Sequence, residues 1–174
     1  DLHYPLRRQR QMCIRDSIKP LEINNGFAKR YDGIANLDTK KNNGESTICI
    51  FSALKRSFPM KIDMMEKHPL GSQAFIPMKE TVFLSFVAPE GEKPDLTRVE
   101  AFIIPKGIGV NYNPGIWHFP LISTEDMNFL VVDRKGEGDN LIMSESTIEG
   151  PYFDDFTTTH ILTKSNQSYS DFCN

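Results

Sequence analysis

The chain has 174 residues, 39% apolar and 25% charged, with twelve Phe and one Trp, a globular composition long enough to close one core without staples. Its 20 basic and 23 acidic side chains leave a net charge of −3 and are scattered along the chain, so there is no broad positive field for nucleic-acid backbones. No window approaches the ~20 consecutive apolar residues that span a bilayer; Cys13, Cys49 and Cys173 are too far apart to suggest a disulfide framework or a thiolate metal site, and a reducing cytoplasm is the expected setting.

Residues 1–17, DLHYPLRRQRQMCIRDS, are Arg-rich and show neither a helical nor a strand period. Arg7-Arg8 is not followed by the apolar stretch an export signal needs, so the segment reads as a foreign leader. Next comes INNGFAKRY, a turn followed by an amphipathic strand. From residue 46 the text changes to short β-rich runs: STICIFSA, PMKIDMME, QAFIP, TVFLSFVA, RVEAFIIP and MNFLVVD. Between them lie PEGEKPD, PKGIG, NPG and KGEGDN, which carry the Gly, Pro, Asp and Asn of tight turns.

Strands at this spacing, with scarcely any helical period, predict an all-β antiparallel sandwich or barrel. The expected organisation is a leader over 1–17, one barrel domain over 18–164 and a polar tail over 165–174. TVFLSFVA is apolar on both faces, so it is expected to be covered on both sides or to lie in a dimer contact.

In GVNYNPGIWHFPL a Pro-Gly turn leads into Ile116, Trp117, His118 and Phe119. On a strand His118 shares a face with Ile116, and Trp117 and Phe119 take the other. In MEKHPLGSQAF, Glu66 and His68 are two apart and project to one face, with Gln73 a turn later. Two imidazoles, a carboxylate and an amide oxygen suit either a borderline divalent ion or acid-base work near neutrality. A core His bonded to a carbonyl, and a surface Glu paired with Lys61 or Lys67, are the alternatives. Upstream, Arg30 offers a fork for a carboxylate, with Asn24, Asn25 and Tyr31 beside it. Lys79 and Glu80 in PMKE read first as hairpin-tip charges, with Lys79 as a candidate for proton delivery.

Taken together, INNGFAKRYDGIA, EKHPLGSQAFIPM, VAPEGEKPDL, RVEAFI, GVNYNPGIWHFPL and NFLVVDRKGEGDN resemble, in order and spacing, the ureidoglycolate lyase family. The resemblance covers about residues 23–140. It implies a cupin-like β-barrel, usually dimeric, that cleaves ureidoglycolate to glyoxylate and urea in purine catabolism. It also implies a divalent metal such as nickel, and no organic cofactor. On these residues the catalytic roles fall to His118, His68 and Lys79, and substrate binding to Arg30, Asn25, Gln73, Asn111 and Tyr112. A metal would take His68, Gln73, His118 and Glu66. The partner is a small anionic substrate.

The chain departs from the family pattern at Asn113 and Phe119, where many members carry His, and Leu70 stands where wider cupins would complete an HxH pair. With fewer imidazoles a metal is expected to be held weakly. The family normally places a strand and a helix ahead of the INNG block; here IKPLE runs straight into it. Two alternatives follow: a non-catalytic module that binds a small carboxylate, and a metal-dependent cupin enzyme acting on another α-hydroxy acid.

Overall fold

A computed structural model describes residues 19–145 and 152–153; the leader and tail expected from the sequence lie outside these residues. Fourteen strands are formed among the described residues. They are β1 (Leu21–Ile23), β2 (Ala28–Arg30), β3 (Glu45–Ala53), β4 (Met60–Lys61), β5 (Met64–Lys67), β6 (Gln73–Pro77) and β7 (Phe83–Ala88). The chain continues through β8 (Glu100–Ile104), β9 (Val110–Tyr112), β10 (Trp117–His118), β11 (Ile122–Ser123), β12 (Met127–Lys135), β13 (Ile142–Glu145) and β14 (Tyr152–Phe153). Three single 3-10 turns are the helical segments among the described residues, none of which is long and apolar enough to cross a membrane.

Two antiparallel sheets build the body. One runs β3-β12-β6-β9; the other runs β11-β7-β10-β5-β13, with β8 also paired to β7. The long β3–β12 ladder holds its register from Met127 opposite Ala53 to Lys135 opposite Glu45. That register follows from alternation: Met127, Phe129 and Val131 are buried on one face of β12, and the residues between them lie toward the other. Phe129 packs edge-on against Phe75 of β6 and Phe83 of β7, which ties the two sheets across the interior.

β7 resolves the question its composition poses. All six of its residues are buried. Phe83 and Val87 belong to the interior cluster with Phe75, Tyr112 and Ile116, whereas Leu84, Phe86 and Ala88 join a second cluster with Ile62, Met65 and Trp117. Both faces are therefore covered by this chain, and the strand is not itself a dimer contact. The physical reason is a second apolar layer, contributed by Phe58, Met60, Ile62, Leu96 and Val99, laid over the outside of the sheet. The outcome is the all-β, cupin-like barrel, with its chemistry placed by the interior cluster.

Before the barrel, β1 and β2 form a hairpin in register Leu21–Arg30. Its turn places Asn24, Asn25 and Gly26 at φ of 53°, 57° and 88°, a left-handed run that Asn and Gly tolerate and most side chains do not.

Candidate active site

Strand pairing alone brings the two histidines together. β10 lies between β5 and β7, with His118 opposite Glu66 on one side and Val87 on the other. Alternation sends Trp117 and Phe119 into the outer cluster, while Ile116 joins the interior one. On β5, Met65 is outward, and Lys67 stands over the Trp117 ring at 4.4 Å. Glu66 and His68 take the opposite side. The rings of His68 and His118 lie 5.3 Å apart between centroids, and His118 is 1% exposed.

Each imidazole is oriented from behind. Nδ1 of His68 is 2.6 Å from the carbonyl of Asn140, and Nδ1 of His118 is 3.0 Å from the carbonyl of Ile116. A carbonyl only accepts, so each Nδ1 carries the hydrogen and each Nε2 turns a lone pair into the interior. Both Nε2 atoms are buried without a hydrogen-bond partner among the described residues. The nearest charge is Glu66, whose Oε1 lies 3.5 Å from Nε2 of His118. A carboxylate facing an imidazole lone pair is repulsive; a proton or a cation shared between them reverses the sign.

Tyr112 supplies the floor. Its ring stacks on His118 at 4.1 Å and 8°, and its hydroxyl shares a 2.8 Å hydrogen bond with Ser85. Burial pushes the phenol well above its ordinary 10.0, opposed by the Ser85 bond and reinforced by Glu66. Tyr112 is thus a neutral platform whose hydroxyl is already engaged. The sequence assigns it to substrate by hydrogen bonding; in the structure the hydroxyl is bonded to Ser85.

Gln73 is buried and alternates with Phe75 toward the interior, directly across from Tyr112. Asn111 does not join it. One residue from Tyr112 on β9, its side chain points to the opposite face of the sheet, where Nδ2 donates to the Asn36 carbonyl at 3.2 Å. There it borders a groove of about 620 Å³ together with Tyr31, Ile34, Leu37, Ile76 and Val132. Strand alternation is what separates it from the histidines.

Three further residues read from the sequence also lie apart from the pair. Arg30 ends the β1–β2 hairpin, is largely exposed, and binds Asp32 through Nε at 2.6 Å. Asn25 sits in the exposed turn of the same hairpin. Lys79 follows the far end of β6 from Gln73 and pairs with Glu125 at the surface; six residues of extended chain span roughly 20 Å. Arg30, Asn25 and Lys79 are not brought to the histidines, because Arg30 lies on the exposed end of the β1–β2 hairpin and the other two in surface turns, none at an inward position of the barrel.

Asp133 and Asn140 were not singled out from the sequence. Asp133 continues the inward series Met127, Phe129, Val131, and its carboxylate accepts from Gln73 Nε2 at 2.9 Å. A charge in line with an apolar stripe was the available signal. Asn140 orients His68 through its main-chain carbonyl, which no residue-type pattern reveals, and its Oδ1 accepts the Leu70 N–H at 2.8 Å.

The donor set can be tested for a metal. One ligand atom from each of Glu66, His68 and His118 lies within 4.8 Å of the other two, and two imidazoles with a carboxylate suit a borderline divalent ion. The buried atoms left without partners, His68 Nε2, His118 Nε2, Gln73 Oε1 and Asn111 Oδ1, are all acceptors. A buried acceptor left unsatisfied costs about 1–3 kcal/mol, so the three on the interior side await a proton, an N–H or a cation. These residues fit a divalent cation.

Barrel and site together define a cupin-like protein with an acceptor-lined interior built on two imidazoles and a carboxylate. Residues 10–151 match the model of the family described as ureidoglycolate lyase. Proteins named ureidoglycolate lyase are similar over 119 residues: one from Pseudomonas paraeruginosa at 47% identity, covering 68% of this chain and 70% of that protein. One from Pseudomonas syringae pv. syringae is 44% identical with the same coverage, and one from Pseudomonas fluorescens is 43% identical over 68% of this chain and 71% of its own length. The chain belongs to the ureidoglycolate lyase family.

Proposed function

We propose that this chain cleaves ureidoglycolate to glyoxylate and urea, a step of purine catabolism. The observation that carries this reading is the pair of buried imidazoles with their Nε2 lone pairs turned inward beside Glu66, in a chain of this family. Ureidoglycolate is a carbinolamide, so its cleavage needs a base at the hydroxyl and an acid at the departing nitrogen. His68, whose Nε2 has no partner, takes the hydroxyl proton. The O–H electrons become the carbonyl of glyoxylate, the C–N bond breaks, and its electron pair leaves with the urea nitrogen. His118 delivers a proton to that nitrogen, carrying it on the Nε2 that faces Glu66. The stacked Tyr112 ring keeps the His118 ring in plane, and the outer Trp117 layer excludes water from behind.

A metal-assisted form of the same reaction is favoured by one feature, the acceptor-only lining: the substrate carboxylate would meet Glu66 with no described cation between them. Glu66, His68 and His118 would hold a divalent ion such as nickel, which when bound supplies positive charge to the α-hydroxyl and carboxylate; in that form the two Nε2 atoms would be ligands in place of base and acid. The non-catalytic alternative loses one support, since Phe119 packs outward against Phe86; a His at that position would not face the interior.

The chain is also proposed to act as a cytoplasmic homodimer, supported by the family resemblance and by an apolar outer face on the β3-β12-β6 sheet. There Ile50 and Ile76 flank Leu130, with Ile48 beside Val132, and Ile48 and Ile50 are 66% and 50% exposed. The decisive experiment supplies racemic ureidoglycolate to purified protein, with and without prior chelation, and follows glyoxylate. Stereospecific release above the spontaneous rate supports the lyase reading, its loss on chelation and recovery with nickel supports the metal, and release at the spontaneous rate under both conditions overturns both.

A further inference from the structure

Gln73 is held in one orientation by a residue that the reaction itself does not require. Its Nε2 donates to Asp133 Oδ2 at 2.9 Å, and a carboxylate can only accept, so the amide has no freedom to turn over. Oε1 is therefore directed away from Asp133, buried and without a partner among the described residues. Asp133 is fixed in turn, because its Oδ1 accepts the main-chain N–H of Arg134 at 2.6 Å. The result is a single acceptor presented on the interior face, across the ladder from the Tyr112 ring that carries His118.

Resting on the lyase reading above, we infer that Gln73 Oε1 receives the ureido N–H of the substrate and that Asp133 is the positioning residue that keeps this acceptor turned inward. The chemistry of the ligand selects this end of the molecule. A carboxylate or an aldehyde oxygen offers no hydrogen to Oε1. The hydroxyl hydrogen is taken by the imidazole base. The remaining donors are the N–H groups of the ureido half, which become the leaving urea. Gln73 thus reads the leaving group, a role separate from the Glu66–His68–His118 cluster.

The test compares wild type with Gln73→Leu, Asp133→Ala and Asp133→Asn, measuring kcat, KM for ureidoglycolate, product inhibition by urea and by glyoxylate separately, and bound divalent metal. Loss of one hydrogen bond of this kind corresponds to about tenfold. Gln73→Leu and Asp133→Ala are each expected to raise KM and weaken urea inhibition by about tenfold, with glyoxylate inhibition and metal content unchanged. Asp133→Asn keeps an oxygen that can accept from Gln73 Nε2, so it is expected to restore most of the urea sensitivity and to provide a folded comparison if the Ala variant does not fold. Equal weakening of urea and glyoxylate inhibition, or unchanged urea inhibition in either Gln73→Leu or a folded Asp133→Ala, overturns the assignment. Loss of metal in Gln73→Leu also overturns it, by making Gln73 a ligand. A wild-type chain that does not turn over ureidoglycolate overturns the lyase reading and this assignment together; a wild type that does, with variants behaving as in the preceding outcomes, overturns this assignment alone.

Discussion

Glu66 and His118 are cross-strand partners whose side chains also meet, Oε1 to Nε2, at 3.5 Å. Because the contact lies on the ladder of two paired strands, neither group depends on a surface loop for its position, and His68 follows from the same strand. His68→Asn and His118→Asn are each expected to lower kcat by ~10²–10⁴-fold, the usual contribution of one acid or base. Circular dichroism should show an unchanged β spectrum. Retention of wild-type turnover by either variant would remove that imidazole from the mechanism.

Burial of Tyr112 makes a prediction about alkaline pH. The folded state raises the phenol's pKa above the 10.0 of the ordinary group, so the native chain keeps its proton where the unfolded chain releases it. The stabilisation is fully present below pH 10.0 and declines as pH rises above that value toward the raised one. Urea unfolding of wild type and Tyr112→Phe at pH 8 and pH 10.5 measures it. Wild type should lose more stability between the two than the variant, which has no phenol to ionise but keeps the stack on His118.

How far the sequence reached is clearest at Trp117-His118 and at Asn111-Tyr112. In the first pair alternation assigns each side chain to its face, because the strand is short and the Pro-Gly turn before it fixes where it begins. In the second, grouping both residues with the substrate overlooked the same rule, which sends Asn111 to the outer groove. Arg30 was chosen for its chemistry, and residue type says nothing about which way a hairpin faces. The histidine tautomers were beyond reach altogether, since they are set by the main-chain carbonyls of Asn140 and Ile116.

Arg30, Asn25 and Lys79 give a corresponding negative expectation. Lys79→Ala and Arg30→Ala remove exposed ion pairs with Glu125 and Asp32, which solvent screens and which contribute little to stability. Turnover should stay within about twofold of wild type, and a fall in kcat of the size expected for the histidines would show that the hairpin or the β6 turn closes over the site.

The homodimer is tested by mass and by surface. Light scattering at micromolar concentration should give twice the monomer mass, and Ile48→Glu with Ile50→Glu should return it to one copy while leaving the interior cluster untouched, since both side chains point outward from β3. A dimer that survives both charges does not use this face.

Arg134 joins the stability of the barrel to the orientation of His68. Its guanidinium is buried and donates to the carbonyls of Lys41, Asn42 and Glu137, holding the 41–44 turn and the 136–140 turn against β12. The second turn ends at Asn140, whose carbonyl orients His68. Gly71 leaves room for this arrangement: a Cβ there would lie 2.6 Å from Arg134 Cβ and 2.9 Å from Cδ, and a side chain tied to three carbonyls has little freedom to move aside. Gly71→Ala is therefore expected to cost about 1–3 kcal/mol as overpacking. Arg134→Ala should cost at least about 2 kcal/mol, given roughly 1.5–3 for a hydrogen bond to a charged group. In the double variant the contacts with Cγ and Cδ are gone while Cβ of residue 134 stays 2.6 Å from the added methyl, so the two costs should fall only partly short of additive, by about 0.5 kcal/mol. Urea unfolding measures all three, and strict additivity would mean that Cβ of residue 134, and not the longer side chain, constrains Gly71.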